Sequence, residues 1–404
     1  MNRIVLIGNG FDLSHGLKTS YADFIKWYCD KIIDKLKNTH SQVFINNYLE
    51  TKCEFDGWSH RFSYYEIEEE QTGYATLMKI IDNKHDYKTK LAPLFSHIIR
   101  SIDTKGWVDI ENEYYALLKD CTQTNNEDNA RKLNIELENL KELLIEYLEI
   151  VNQQKNKIKD NVKEAIYAPI DPQEVSIEAM NEWEKVIDYW KSKDQNEWRY
   201  KLERYGITDD VEISNYLKDA KVYKPTFKGL LPPPSLFRLP DNILLLNFNY
   251  TKTAQTYFLR DTPAFTINNI HGQLEEPESI IFGHGDEMDE KFKQIQNLNI
   301  QEYLKNVKSI NYLNSNNYRK LLRFIDSAPY QICIMGHSCG LSDRTLLNTL
   351  FEHKNCISIK PYYHIYDDGT DNYIEIVQNI SRSFNDMALM RDRVVNKTYC
   401  ESMD

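Results

Sequence analysis

MNRIVLIGNGFD (1–12) is the stretch that decides the fold, because it joins a short apolar run to a turn with two glycines. A run this short and uniformly apolar is typical of a strand buried on both faces, as in a parallel sheet covered by helices. A helical pattern follows near Ser20, where Asp23 three residues later indicates an N-terminal capping pair. The chain is therefore predicted to open as strand, loop and helix.

Further strand-like runs occur in the C-terminal part of the chain. They are NILLLNF (242–248), AFTINNI (264–270), SIIFG (279–283), YQICIMG (330–336), CISIKPYYHIY (356–366) and YIEIVQNI (373–380). The last two, joined by DDGTD, predict a hairpin, and residues 341–353 predict a helix capped at Ser342. The fold class that follows is α/β, with a doubly wound, mostly parallel, Rossmann-like sheet.

Between these two parts the sequence becomes polar and helix-rich, with few glycines or prolines. Apolar residues spaced by three and four from Leu133 to Val162 predict one long helix packed along a partner helix. Proline and glycine then concentrate at 224–242, which marks a boundary. We therefore expect a discontinuous α/β nucleotide-binding domain of residues 1–37 and 241–404. A large all-helical insertion, residues 38–240, would interrupt it and end in a Pro-rich linker.

Composition limits the classes of protein that this chain can represent. Its 404 residues carry 49 Lys and Arg against 61 Asp and Glu, a net charge of -12, which disfavours broad nucleic-acid binding. No segment approaches the ~20 apolar residues that span a bilayer, so no membrane partner is expected. Seven scattered cysteines and the absence of a signal-peptide pattern predict a cytoplasmic protein.

Four short polar or glycine-rich segments each follow a predicted strand directly. They are GNGFD (8–12), NFNYT (247–251), HG (271–272) and GHSCGLSD (336–343). Ligands of open parallel sheets bind beyond the carboxyl ends of the strands, so we expect these four segments to converge around one cavity.

The residue types in these segments suit a nucleotide. Gly8 and Gly10 allow close backbone approach, and the helix that follows offers free N–H groups to a phosphate. The amides of Asn247 and Asn249 either orient a water or ribose hydroxyl, or only hold neighbouring loops. His271 at a strand end is suited to general base catalysis.

Two other kinds of chemistry remain open. GHSCG (336–340) matches the G-x-S-x-G nucleophile elbow, although few residues follow it to supply the Asp and His that such hydrolases need. A glycine turn whose Ser338 and Asp343 touch a nucleotide is the stronger interpretation. A metal-dependent nuclease or phosphoesterase is the alternative function; its candidate ligands are Asp12, Asp109, Glu111, His271, His284 and His337.

The opening LIGNGFDLSHGLKTSYADF, with WVDIENEYY, NFNYT, IHG, FGHG and GHSCGLSD, resembles the AbiH family of bacteriophage abortive-infection proteins along the whole chain. The opening, the asparagine segment, the His-Gly pair and the later glycine-serine turn are also distantly similar to sirtuin-like NAD-binding domains, although Thr251 stands where those relatives carry Asp. The zinc-binding cysteines of deacetylating sirtuins are absent, which argues against protein deacetylation.

The resemblance implies a phage-defence effector that binds and hydrolyses NAD or a related nucleotide. His271 would be the general base, Asn249 would position the attacking group, and Asp12 would complete the catalytic set. The residues expected to contact the nucleotide are Gly8, Asn9, Gly10, Phe11, Gly16, Asn247, Gly336, His337, Ser338 and Asp343. No residue is assigned to a metal site in this reading, and a role for a metal stays open. A non-catalytic nucleotide sensor is a further alternative, and the partners expected are a phage-derived trigger and a second copy of the chain.

Overall fold

The computed structural model describes residues 1–38, 43–53, 72–82, 87–124, 127–154, 157–176, 185, 187–222, 234–257 and 264–403. The chain divides into two compact units. The sheet unit comprises Met1–Leu17, Lys155–Ile281 and Asn311–Asp404, and the helical unit comprises Lys18–Gln154 and Phe282–Ile310. Most of the expected Pro-rich linker lies outside the described residues, and the expected limits of the insertion, residues 38 and 240, stay a prediction.

The strands form two sheets. They are β1 (Asn2–Ile7), β2 (Val43–Ile45), β3 (Leu49–Cys53), β4 (Tyr87–Leu91), β5 (Ile243–Asn247), β6 (Phe265–Asn269), β7 (Tyr330–Met335) and β8 (Cys356–Tyr362). In the described residues of the sheet unit the strand order is β6-β5-β1-β7-β8, and every pair is parallel. The predicted α/β class with a parallel Rossmann-like sheet is thereby confirmed.

The helices follow in chain order. They are α1 (Asn9–Ser14), α2 (Tyr21–Asn38), α3 (Gly73–Asp82), α4 (Pro93–Lys105), α5 (Ile110–Thr124), α6 (Glu127–Val151), α7 (Asp160–Tyr167), α8 (Gln195–Arg204), α9 (Asp210–Val222), α10 (Ser235–Arg238), α11 (Glu290–Asn297), α12 (Lys308–Asn311), α13 (Asn317–Ser327), α14 (Arg344–Phe351), α15 (Tyr373–Arg382) and α16 (Met387–Arg393). Among the helices in the described ranges, none has the length and apolarity that a membrane span requires.

Helices cover the parallel sheet on both faces, which explains why its strands are continuously apolar. Val5 and Ile7 of β1 point into one core cluster, which they share with α7, α8, α9 and α10. Ile4 and Leu6 point into the opposite cluster, which they share with α13, α14 and α15. Side chains alternate between the faces of a strand, so both sets are buried and the doubly wound arrangement follows.

The structure corrects several local predictions. Residues 373–380 form helix α15 instead of a hairpin strand, because Tyr373, Ile376 and Ile380 recur at helical spacing and are its buried residues. Residues 279–283 form no strand. The helix predicted from Leu133 to Val162 ends at Val151, and a separate helix, α7, begins at Asp160.

The insertion, which was predicted to be all-helical, also contains strands. In the helical unit β2, β3 and β4 form an antiparallel sheet of three short strands. Asn46 turns the chain between β2 and β3, since its side-chain oxygen accepts hydrogen bonds from the backbone N–H of Tyr48 and Leu49. Ser20 caps α2 as predicted, with its Oγ accepting from Asp23 N at 3.1 Å. Ser342 does not cap the helix after β7, which begins at Arg344.

Candidate active site

The turns after β1, β5 and β7 meet at the carboxyl edge of the parallel sheet. Gly10 N donates to Gly336 O at 2.8 Å, which joins the first turn to the turn after β7. The Asn249 side chain donates to Gly8 O at 2.9 Å, which joins the first turn to the loop after β5. Three of the four predicted segments are therefore neighbours in space, although about 330 residues of sequence separate the first from the last.

The glycines in these turns allow two turns to interlock. A Cβ atom on Gly8 would lie 2.5 Å from the Cα of His337, and one on Gly10 would lie 2.9 Å from the Cα of Gly336. Gly336 has a φ of +73°, and its added Cβ would lie 2.0 Å from Phe11 N. Gly8 and Gly10 therefore permit a close approach between the first turn and the turn at Gly336.

The other predicted residues of the first turn have different surroundings. Asn9 is exposed at the start of α1, whereas Phe11 is fully buried in the core and packs edge-on against Tyr257. Gly16 has a φ of +80°, and an added Cβ would meet nothing within 4 Å. It ends the turn after α1 through its left-handed conformation.

A chain of amides holds the ends of β5 and β6. Asn247 Nδ2 donates to Asn269 Oδ1 at 3.0 Å, and Asn247 Oδ1 accepts from the backbone N–H of Asn249 at 3.1 Å. Asn269 in turn donates to Gln273 at 2.8 Å. These amides bind neighbouring loops in this state, which is the structural alternative that the sequence left open for Asn247.

Asp12 is a buried carboxyl group beside these loops. Its Oδ2 accepts from Thr251 Oγ1 at 2.6 Å, and its Oδ1 makes no hydrogen bond within the described residues. Burial raises the pKa of Asp12 above the ordinary aspartate value, and the nearby side chains of Thr251, Thr253 and Asn249 offset part of that rise. Thr251, which takes the place of an expected Asp, thus avoids a second negative charge beside Asp12.

The charged centre of the edge is a cluster of His271, Asp343 and His337. His271 Nε2 lies 3.2 Å from Asp343 Oδ1, and His337 Nε2 lies 3.5 Å from Asp343 Oδ2. One carboxylate therefore faces two imidazoles, which come from the loop after β6 and the turn after β7. All three side chains are buried, and His271 is only 4% exposed. We call these three residues the His-Asp-His cluster.

Hydrogen bonds indicate which ring nitrogens carry protons. The Cys339 backbone N–H donates to His337 Nδ1 at 3.0 Å, so the proton of a neutral His337 is on Nε2 and points to Asp343. Cys339 has a φ of +54°, in the left-handed region. In His271 the nitrogen next to the carboxylate is also Nε2, which favours a proton there and leaves the lone pair on Nδ1.

Aromatic rings line the cluster. Phe248 packs edge-on against both His271 and His337. Tyr312 is stacked with His271, and its hydroxyl lies 3.1 Å from His271 Nε2. Tyr312 was not among the predicted site residues, and no motif in its surroundings could have indicated it.

Ser338, the central residue of the GHSCG turn, is exposed. Its carbonyl accepts from Asn379 Nδ2 of α15 at 2.8 Å. A loop and a 3-10 turn at Leu341–Asp343 separate it from helix α14, whereas a nucleophile elbow leads directly from strand to helix.

In the helical unit, the WVDIENEYY segment begins helix α5. Asp109 accepts hydrogen bonds from the backbone and side chain of Asn112 at 3.0 and 2.7 Å. Glu111 is buried, and its two oxygens accept from Gly283 N at 3.0 Å and from Lys308 Nζ at 2.8 Å. These carboxylates therefore serve a helix start and a buried ion pair.

His284 of the FGHG segment is buried against Tyr115, with ring centroids 3.9 Å apart. Neither ring nitrogen makes a hydrogen bond within the described residues. Burial, together with Lys308 and Lys119, lowers the pKa of His284 to about 3. Within the described ranges, no group of three or more His, Cys, Asp or Glu residues is placed to hold a metal ion.

A family model described as "Bacteriophage abortive infection AbiH" matches residues 4–364, which is most of the chain. No curated protein and no solved structure matches significantly. The more distant sirtuin-like resemblance therefore stays a prediction.

Proposed function

Since the chain belongs to the AbiH family of bacteriophage abortive-infection proteins, we propose that its sheet unit binds NAD or a related nucleotide and hydrolyses the glycosidic bond. The His-Asp-His cluster is the observation that carries this proposal. An imidazole oriented by a carboxylate, at the carboxyl edge of a Rossmann-like sheet, is the arrangement that general base catalysis on a bound nucleotide requires.

In the proposed reaction His271 accepts a proton from water at Nδ1, and the water oxygen forms a bond to C1′ of the ribose. The bond from C1′ to the nicotinamide nitrogen breaks, and its electron pair leaves with nicotinamide. The products are ADP-ribose, nicotinamide and the proton on His271, which solvent later removes. Asp343 holds the Nε2 proton throughout and stabilises the imidazolium that forms.

Asn249 and Asp12 take supporting roles in the proposal. Asn249 fixes Gly8 O and thereby the first turn against the loop after β5. Asp12 presents a buried oxygen that a ribose hydroxyl would satisfy. Both roles concern the position of the substrate, whereas proton transfer belongs to His271.

The burial of His271 also fits a protein that is inactive until a trigger binds. A base must come within hydrogen-bond reach of its substrate, and an imidazole that is 4% exposed reaches one only after the surrounding side chains, including Phe248 and Tyr312, have moved. A phage-derived trigger would act by favouring that movement.

The test is to incubate purified protein with NAD, with and without phage lysate, and to measure nicotinamide release. We expect nicotinamide release, and we expect His271→Gln to lower it by about 10²- to 10⁴-fold and to remove phage resistance in plating assays. NAD binding without release would identify a nucleotide sensor instead. Release of nucleotides from RNA or DNA that requires a divalent cation, with NAD intact, would identify a nuclease and overturn the proposal.

A further inference from the structure

We propose that Arg382 and Arg344 bind the phosphate groups of the nucleotide, which restricts the substrates to phosphate-bearing nucleotides such as dinucleotides. This inference rests on the proposed function, because it names the part of the ligand that lies beyond the glycosidic bond. We call Arg344, Asn379 and Arg382 the arginine rim. Neither arginine belongs to any of the motifs that pointed to the site.

The arginine rim is attached to the turn that carries His337. Asn379 Nδ2 donates to Ser338 O at 2.8 Å, and Asn379 Oδ1 accepts from Arg382 Nη1. Arg344 Nε donates to Arg382 O at 2.5 Å. Asn379 thus links the Arg382 guanidinium to the exposed turn, and the Arg344 guanidinium binds the backbone of Arg382 at the end of α15.

The positive charge of the arginine rim is relevant because the chain as a whole is acidic. The chain has a net charge of -12, so an anionic ligand needs a local source of positive charge. Within the described residues Arg382 meets no carboxylate at ion-pair distance, and its contact is the neutral amide of Asn379. A guanidinium group that is not paired with a carboxylate can donate two parallel hydrogen bonds to a phosphate.

The arginine rim and the His-Asp-His cluster are adjacent in the sequence. Ser338 follows His337, and Arg344 follows Asp343, so the rim and the His-Asp-His cluster share the segment 337–344. In a dinucleotide the diphosphate is separated from the glycosidic bond by one ribose. A nucleotide whose glycosidic bond lies at His271 would therefore extend its phosphates along this segment toward Arg344 and Arg382.

The arginines also have a structural role that the experiment has to separate from phosphate binding. Arg382 is in the last turn of α15, where a positive charge favours the helix dipole, and Arg344 binds a carbonyl at the end of that helix. Arg382→Gln keeps a side chain that can donate to Asn379 and removes the charge. Arg391→Gln is the matched control, since Arg391 is an exposed arginine on α16.

The experiment compares NAD with nicotinamide riboside, which has the same glycosidic bond and no phosphate, and measures binding of ADP-ribose and of pyrophosphate by calorimetry. For Arg382→Gln we expect KM for NAD and Kd for ADP-ribose to rise about tenfold or more, with the nicotinamide riboside reaction and the melting temperature unchanged. Arg344→Gln is expected to act in the same direction. Higher salt should weaken binding in the wild type and less so in Arg382→Gln.

Equal binding of ADP-ribose by wild type and Arg382→Gln would overturn this inference and leave the proposed function intact. An equal loss for nicotinamide riboside would also overturn it, because the effect would then be structural. Pyrophosphate binding that Arg382→Gln abolishes, in a protein that does not cleave NAD, would support the rim and overturn the proposed reaction. Absence of any binding by the wild type would overturn both.

Discussion

His271 Nε2 and Asp343 Oδ1 lie 3.2 Å apart, although 71 positions of sequence separate the two residues. β6 delivers the histidine and β7 delivers the aspartate, and both strands are parallel to β1, so their carboxyl ends lie on the same edge. The parallel sheet thus brings a base and its orienting acid together.

The first prediction concerns this pair. Asp343→Asn should lower kcat for NAD cleavage by about 10²- to 10⁴-fold, because the amide no longer favours the proton on His271 Nε2 or stabilises the imidazolium. The measurement is nicotinamide release under saturating NAD. His271→Gln and the double variant should show about the same loss as Asp343→Asn, since the residues act as a unit. Losses that multiply in the double variant would contradict a shared role.

A second prediction separates backbone strain from steric overlap. Gly16→Ala should cost about 1 kcal/mol of unfolding free energy, because only its left-handed φ of +80° opposes a side chain. Gly8→Ala should cost about 3 kcal/mol, because its Cβ would lie 2.5 Å from the Cα of His337. Urea unfolding of both variants measures the difference. Equal costs would show that the two turns do not interlock.

A third prediction concerns the buried ion pair of Glu111 and Lys308. Glu111→Gln should lower the unfolding free energy by about 3 kcal/mol, because it leaves Lys308 buried without its carboxylate. Adding Lys308→Met should recover part of that loss. Glu138→Gln is the control, since Glu138 is the exposed partner of its ion pair with Lys141 and should matter by less than about 1 kcal/mol. A similar loss of unfolding free energy in Glu111→Gln and Glu138→Gln would show that burial does not strengthen the contribution of the Glu111–Lys308 pair.

Glu136 provides a prediction about pH. Burial raises the pKa of Glu136 to about 6, although its Oε1 accepts from Phe95 N at 2.9 Å. The folded state therefore binds this proton more tightly than the unfolded state, and its contribution to stability is lost as pH rises from about 4.5 to about 6. Glu136→Gln keeps an acceptor for Phe95 without a charge and should stabilise the protein at pH 7 by about 1 kcal/mol.

Thermal or urea unfolding between pH 4 and 8 checks this. The exposed Glu149→Gln should leave the pH profile unchanged. A profile for Glu136→Gln that parallels the wild type would show that Glu136 ionises normally.

His284 should have the opposite pH effect. Its pKa is lowered to about 3, so the folded state resists its protonation and stability falls as pH drops below about 6.5. His284→Phe should reduce that acid sensitivity while it keeps the stacking on Tyr115. Unfolding at pH 4 and pH 7 is the measurement, and an unchanged difference between these two values would refute the prediction.

Strand predictions succeeded where burial on both faces made the pattern simple. β1, β5 and β7 are short apolar runs that stop at a polar or glycine turn, and each was placed to within a residue or two. Tyr373–Arg382 was misassigned, because a stretch of eight residues with β-branched side chains fits a strand as well as a short amphipathic helix. The three-stranded sheet of the helical unit has polar strands such as LETKC (49–53), which lack a strand signal.

The sequence identified several residues of the site, but it did not indicate which of them contact one another. Strand-end motifs pointed to His271, His337 and Asp343 separately, but no pattern indicated that one carboxylate faces both imidazoles. Tyr312 begins a short 3-10 helix without a motif, and its place beside His271 depends on how that helix packs. The glycines suggested room for a ligand, whereas Gly8 and Gly10 accommodate the turn at Gly336.

The central position of β1 has a consequence for biosynthesis. Arg3 pairs with Ile243 on one side, and Asn2 pairs with Tyr330 on the other, so the first strand leaves the ribosome long before either neighbour exists. At ordinary translation rates it waits roughly 10 to 50 seconds for the earlier of the two. A nascent polypeptide that stops before position 343 holds the first glycine turn without the Asp343 carboxylate, so an incomplete translation product cannot assemble the His-Asp-His cluster.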